Sequence, residues 1–308
     1  MRSPEPALFS PYENAFLPAE TLSSYAFSLC GGPCAGLFCI ENGEMLKDLV
    51  QCCINASIPY RVLGGMTNIL VSDEGYDGVI LLNRKGSVSH TISEDGSVLL
   101  TAESGAGMAA AVRYCIENEI SGLEWAAGLP GTVGGAVCGN AGAFGSDISR
   151  IFSHGEILDE KGTKQTIQKA DMNFAYRSSS MKHQQNKCVL CKAVFRLEKG
   201  IKEQILAAGE ANKEKRKSTQ PADRHSLGSV FKNPEGESAG KLIQAAGLKG
   251  FSIGKAEVSM KHANFITTQK GVKSADYHSL VIHVQKTVYE QFGILLEPEI
   301  EMLGFGLK

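Results

Sequence analysis

Residues 128–145 read GLPGTVGGAVCGNAGAFG: seven glycines in eighteen positions, small apolar residues between them, and almost no charge. No other stretch limits the available folds so much. A solvent-exposed loop carries polar groups, and an ordinary strand avoids this much glycine because glycine has no side chain to pack. Backbone with so few side chains presses against something large and flat. That partner is a ligand or, as the structural alternative, a cramped helix–sheet contact. The bias extends to the whole chain, with 34 glycines in 308 residues, above the usual share of about 7%.

A second cluster, Gly64-Gly65-Met66-Thr67-Asn68, lies between two apolar runs. Adjacent glycines let backbone approach a ligand and turn N–H groups toward an anion, with Thr67 and Asn68 as further donors. Such a loop suits a pyrophosphate, and its plain alternative is a tight strand connection. Residues 105–110 (GAGMAA) follow a strand-like run and open a helix, matching the dinucleotide fingerprint G-x-G-x-x-A. That fingerprint also needs a second strand ending in an acid about 20 residues on, inside a βαβ unit. Here the chain runs into Gly122 and the next glycine segment, so no Rossmann site is read.

The formal net charge is −2, with no basic surplus to suggest nucleic acid or a membrane surface as partner. No apolar run approaches the ~20 residues that span a bilayer, and residues 1–13 lack the apolar centre of a secretion signal. The nine cysteines are odd in number and repeat no framework, which predicts reduced thiols in a cytoplasmic protein. Cys188 and Cys191 have the spacing of half a zinc or redox site but lack a second pair, so no metal is expected.

Apolar periodicity predicts helices over residues 45–53, 107–118, 201–217 and 274–292, the last with Ser274 as N-cap and Gly293 as stop. Strands are predicted over 36–40, 60–63, 69–71, 78–82, 98–102 and 188–197. Residues 1–20 form a leader without strong pattern. Changes in texture divide the remainder into units 21–83, 84–200 and 201–308.

Three short segments carry the chemistry: residues 228–234 (GSVFKNP), Tyr176-Arg177, and residues 296–299 (LEPE). A serine hydroxyl is a very weak acid, so Ser229 becomes a proton donor only if neighbours lower its pKa, and Lys232 is the first candidate. Arg177 offers a bidentate fork for a carboxylate. Glu297, Glu299 and Glu301 alternate and on a strand would share one side, so spacing does not choose among them.

In order and spacing, residues 63–70, 122–145, 174–179, 228–234, 239–243, 258–265 and 296–304 resemble the UDP-N-acetylenolpyruvoylglucosamine reductases of peptidoglycan synthesis. The likeness runs from about Thr21 onward. The short passage from Arg177 to the strand at 188 resembles the shorter, type II members. The resemblance implies an α+β fold: a two-part FAD-binding region of the vanillyl-alcohol-oxidase (PCMH) type, then a C-terminal α+β substrate-binding domain. Gly64, Gly65, Met66, Thr67 and Asn68 would hold the FAD pyrophosphate. Gly128, Pro130, Gly131, Thr132, Gly134, Gly135, Asn140, Ala141 and Gly142 would line the flavin. Met66 stands where glycine is usual in the family and Thr67 where serine is usual. With no histidine in the first loop, the implied FAD is noncovalent; a thioether from Cys138 is the less favoured arrangement.

The implied reaction is NADPH-driven reduction of UDP-N-acetylglucosamine enolpyruvate to UDP-N-acetylmuramate by a cytoplasmic enzyme, expected as a monomer, with NADPH using the substrate's own cleft. Arg177 and Glu299 would stabilise the enolate and Ser229 would protonate its carbon. Tyr176, Arg216, Lys232, Asn233 and His262 would touch the sugar nucleotide, although a core role for His262 fits the sequence as well. Two competing readings are a sugar or alcohol oxidase on the same flavin fold and a flavin- or nucleotide-binding regulator without turnover. A proton donor has no purpose in the second.

Overall fold

The run Cys34–Ile40 is buried at nearly every position, as a parallel strand covered on both faces requires. In the computed structural model, which describes residues 2–183 and 188–306, it pairs in parallel with Tyr76–Asn83, which pairs in parallel with Tyr60–Leu63. Alternate side chains separate two apolar layers. Phe38, Ile40, Val79 and Leu81 face helix Gly43–Asn55, while Leu37, Ile80 and Leu82 pack with Leu63, Met66 and Leu303. Asn42 caps that helix by accepting from the Met45 N–H at 2.9 Å. Residues 9–18 are anchored: Phe9 and Phe16 stack at 5.3 Å and both meet Phe38, and Leu17–Pro18 pairs with Cys34–Ile40.

A second sheet is antiparallel throughout, in the order Lys164–Gln168, Phe152–Leu158, Val189–Lys199, Val98–Glu103, Val88–Ile92. Val98–Glu103 leads into helix Met108–Glu117, as the G-x-G-x-x-A match requires, but the next strand, Ile120–Ser121, pairs antiparallel with Val189–Lys199. No βαβ unit forms there. Helix Lys202–Thr219 lies against this part of the molecule, and Asn212 Nδ2 donates to the Glu124 carbonyl at 3.1 Å.

The third sheet, His225–Ser229, Phe265–Thr268, Ala256–Val258, Ser252–Ile253, is backed by helices Ala239–Ala245 and Ser274–Phe292. Tyr277, Leu280, Val281, Val284 and Val288 form the buried stripe of the long helix. The chain then returns to its beginning: Glu301–Leu303 pairs in parallel with Ile69–Val71, directly after the first glycine loop. Among the described residues no helix is long and apolar enough to cross a membrane.

Helix Ser274–Phe292 stops at Gly293 in the left-handed conformation, as the sequence predicts, but Ser274 is not its cap. Lys273 holds the N-cap position with no side-chain bond, and Ser274 is the first helical residue, fully buried. The cap comes from Asp73, 201 residues away, whose two carboxylate oxygens accept the Ser274 and Ala275 N–H groups at 2.8 and 2.9 Å. This carboxylate neutralises orphan donors at the positive end of the helix and ties the first sheet to the third. Asp73→Ala should therefore lower unfolding stability by about 1–2 kcal/mol in denaturant titration, and Asp73→Asn, which keeps one acceptor, by less. Wild-type stability in both variants would remove the cap from this account.

Candidate active site

Residues from all three sheets enclose a cavity of about 700 Å³, within the range of cofactor sites. The first glycine loop forms one wall and residues 128–144 another, and the two are in contact. A Cβ at Gly64 would lie 2.2 Å from Thr132 Oγ1, and one at Gly65 would lie 2.9 Å from Gly131 Cα. Glycine there serves loop against loop as well as loop against ligand. Behind the first loop Arg84 donates to the carbonyls of Gly64 and Gly65 at 3.1 and 3.4 Å. In a planar trans peptide the N–H points away from the carbonyl, so the amides of Gly65 and Met66 point away from Arg84, an arrangement that accepts an anion.

Met66 adopts a left-handed φ of 50°, a conformation that costs a side-chain-bearing residue roughly 1–2 kcal/mol. Its side chain is buried with Leu63, Val71 and Leu82, which offsets that cost. Asn68 directs its amide to the Glu299 carbonyl at 3.2 Å and so joins the loop to the acidic segment.

Residues Val133–Cys138 of the second segment are helical, capped by Thr132 Oγ1. Here the structural alternative holds in part. A Cβ at Gly134 would meet Ser104 at 3.0 Å, and the Val133 and Gly134 amides bond to the carbonyls of Ala106 and Ser104. Gly128, Pro130, Gly131, Thr132, Gly134, Gly135, Ala141 and Gly142 all line the cavity. Asn140 does not: its side chain bridges the Ala175 carbonyl and the Ser149 N–H, both at 2.9 Å.

That bridge helps set Arg177. Ala175 and Ser178 exchange both backbone hydrogen bonds, leaving Tyr176 and Arg177 at the tip of a four-residue turn. Arg177 has φ 54° at a turn position that favours glycine or asparagine. The strain is held by Asn140 on Ala175, by Ser179 on the Cys138 carbonyl at 2.7 Å, and by Arg177 Nη2 on the Gly142 carbonyl at 2.8 Å. The guanidinium then meets Glu299, Nε to Oε1, at 2.9 Å. Tyr176 is exposed, with its ring 5.3 Å from that guanidinium.

The structure separates the three glutamates that spacing could not. Glu297 pairs with Lys232 at 2.6 Å outside the cavity lining, whereas Glu299 and Glu301 both line the cavity, Glu301 paired with Arg61 and Glu299 with Arg177. Burial pushes the Glu299 carboxyl above its ordinary range, although Arg177, Lys182 and Lys232 pull it down.

Ser229 ends strand His225–Ser229 just after a register shift, with Gly228 left-handed at φ 76°. This bulge puts both residues on the cavity wall. Lys232 is engaged by Glu297 and makes no hydrogen bond to Ser229. Asn264, which the sequence does not single out, grips both backbone groups of Phe231 at 3.0 and 2.8 Å and so fixes the Ser229 segment. Asn233 accepts from the Ala239 N–H at 3.1 Å. The His262 ring packs on Phe265 at 4.9 Å, accepts from the Asn264 N–H at 3.2 Å and is held below its ordinary pKa by burial, as in its core reading.

Arg216 is the clearest sign of an anion-binding position. Its Nε and Nη2 are buried without a hydrogen-bond partner, 5.3 Å from the Phe144 ring, on the cavity wall. An unpaired buried cation is costly. Together with the amide-bearing glycine loop, it suits a ligand that carries a diphosphate. Cys188 lines the cavity, while Cys191 is buried in the core with its thiol pushed up to about 11. No group of His, Cys, Asp and Glu among the described residues could hold a metal ion.

The comparisons agree with this geometry. Residues 34–168 match the FAD binding domain and residues 220–303 the UDP-N-acetylenolpyruvoylglucosamine reductase C-terminal domain. The bound group is FAD, and the architecture is the expected α+β one, an FAD-binding region of PCMH type followed by this C-terminal domain. UDP-N-acetylenolpyruvoylglucosamine reductase of Caldicellulosiruptor saccharolyticus is 40% identical over 291 residues, 94% of this chain and 92% of that protein. The protein of the same name from Limosilactobacillus reuteri is 40% identical over 286 residues, 92% and 94% of the two chains. The crystal structure of UDP-N-acetylenolpyruvylglucosamine reductase from Thermus caldophilus superposes with a TM-score of 0.75 at 30% identity, covering 94% of this chain and 98% of that one. With likeness along nearly the full length, this chain belongs to the UDP-N-acetylenolpyruvoylglucosamine reductase family.

Proposed function

We propose that this protein is an oxidoreductase that reduces UDP-N-acetylglucosamine enolpyruvate to UDP-N-acetylmuramate in peptidoglycan precursor synthesis, with NADPH as donor. The observation that carries the reading is the Arg177–Glu299 pair, 2.9 Å apart on the wall of the FAD cavity that also holds Ser229. FAD, which the loops at 64–68 and 128–142 would hold, would supply the hydride chemistry at the terminal enol carbon, with NADPH as the source of the electrons. Arg177 has five N–H donors, and Glu299 and Gly142 engage two of them. The rest can grip the substrate carboxylate in a fixed orientation. Glu299 is paired with Arg177 in the free protein, and its burial raises its proton affinity. Once protonated it donates to the enolate that forms, and Ser229 delivers the proton to the carbon bearing the carboxylate. With Lys232 turned to Glu297, the field that acidifies Ser229 comes from other cavity cations. Arg216 takes the sugar nucleotide's diphosphate, and Tyr176 closes over it from the turn tip.

We take the units to run over 21–83, 84–200 and 201–308 after the leader, and the enzyme to act as a cytoplasmic monomer. Noncovalent FAD is supported by the first loop, which has no histidine, and by Cys138, whose burial pushes its thiol up to about 12 and away from the nucleophilic thiolate.

The purified protein should show a flavin spectrum that NADPH bleaches and UDP-N-acetylglucosamine enolpyruvate restores. Peroxide release with rapid recovery in oxygen alone, or a protein unable to take up FAD, would overturn the reading. In stopped flow, Ser229→Ala should slow recovery of the oxidised flavin by substrate by about 10²–10⁴-fold, far more than it slows bleaching by NADPH; equal loss in both would remove Ser229 as donor. The active form of Glu299 is protonated and its pKa is raised. The substrate step should therefore be fastest at low pH, persist above the ordinary glutamate range, and fall as pH rises through the shifted value. Glu299→Gln should be slow and lack that limb, whereas a rate that climbs with pH would assign Glu299 the opposite role.

A further inference from the structure

Several charged side chains of the cavity, Arg61, Lys182, Arg224 and Glu301, have no part in the reaction so far, and Lys182 is the one that bonds to both Arg177 and Glu299. Lys182 stands on the single turn Ser180–His183, five residues after Arg177, half-buried on the same wall as Arg177, Glu299 and Ser229. Its Nζ donates to the Arg177 carbonyl at 3.3 Å and to the Glu299 carbonyl at 3.5 Å. One ammonium thus joins the backbones of both members of the ion pair. An ammonium has three donors, so one N–H is left beyond these two contacts.

We propose that Lys182 is a positioning residue of the reduction, which locks the Arg177 turn to the Glu299 segment and adds a second cation where the substrate's negative charge grows. The proposal rests on the reaction assigned above. The strained turn tip and the acidic segment are remote in sequence, and two hydrogen bonds from one head group fix the separation of their backbones. A change in that separation of even 1 Å would misplace both partners of the carboxylate.

The charges around this group set its pH signature. Lys182 faces Lys232, Glu297, Glu299 and Glu301; Glu299 faces Arg177, Lys182 and Lys232; and Glu301 is paired with Arg61. Burial first, then Lys232, holds Lys182 below the ordinary lysine range, while the three carboxyls oppose that shift. The positive charge of Lys182 favours the ionised form of Glu299, so its removal lets Glu299 keep its proton to higher pH.

The test measures flavin recovery by UDP-N-acetylglucosamine enolpyruvate across pH in wild type, Lys182→Met and Lys182→Arg. Lys182→Met should slow this step at least tenfold more than it slows bleaching by NADPH. Its alkaline limb should also move upward by about one pH unit, the low end for loss of a neighbouring charge. Lys182→Arg should restore the limb and much of the rate. If wild type shows no recovery with this substrate, the reaction assigned above fails and the proposal with it. If wild type recovers but Lys182→Met keeps rate and limb, or loses rate without moving the limb, Lys182 is not a positioning residue. Should Lys182→Met fail to retain FAD, the limb of Lys182→Gln against that of Lys182→Arg decides in the same way.

Discussion

The Arg177–Glu299 ion pair is the constraint on which the rest of the site depends. Its side chains are 24% and 16% exposed, and bringing two charges that far out of water costs several kcal/mol before attraction returns any of it. Such a pair persists only where its partners cannot move apart. The protein meets this condition on both sides. Asn140, Ser179 and Gly142 grip the Arg177 turn, and the Glu299 segment is bound through its amide to the Val230 carbonyl and through its carbonyl to Asn68. A left-handed arginine at a turn tip is a strained choice, and strain of this kind persists where surrounding contacts over-determine it.

The same contacts explain why three sheets with separate apolar cores work as one site. Strand Glu301–Leu303 lies beside Ile69–Val71, so the acid and the first glycine loop share a ladder. Asp73, a few residues further on, caps the long helix of the third sheet. A single short stretch, residues 64–73, therefore lines the cavity, bonds to the Glu299 carbonyl and anchors the long helix of the third sheet. Displacement of any one of these would be felt by the other two.

Much of the fold is legible in the sequence wherever the signal is local. Strands Tyr60–Leu63 and Ile69–Val71 and helix Ser274–Phe292 fall where apolar periodicity puts them, because burial on one face or both imposes that period directly. The glycine segments announce close backbone approach but not what approaches. Gly134 turns out to press on Ser104, and Gly64 on Thr132, while their neighbours border the cavity. Long-range choices are invisible to a local window. Ser274 looks like a cap until Asp73 arrives from the first sheet, and Lys232 looks like the partner of Ser229 until Glu297 takes it. Lys182 gives only a faint signal, a basic residue five positions after the arginine, and its meaning depends on a carbonyl 117 residues away. The three glutamates show the same limit: alternation placed them on one side, and the irregular backbone around Pro298 sent Glu297 outside the cavity lining.

Arg216 shows how a site can be built around what it binds. Its guanidinium is packed against Phe144 and Gly128, so it cannot swing out to water without giving up that packing, and two of its nitrogens lack partners. Folding alone would remove such an arrangement, since a leucine or methionine would fill the space at lower cost. Its presence makes sense if the site accepts an anionic ligand, because a negative charge in the cavity offsets part of the desolvation cost already borne by Nε and Nη2. On the function proposed above, binding energy would be concentrated on the charged, non-reacting part of the substrate, leaving its reacting end toward Arg177, Glu299 and Ser229.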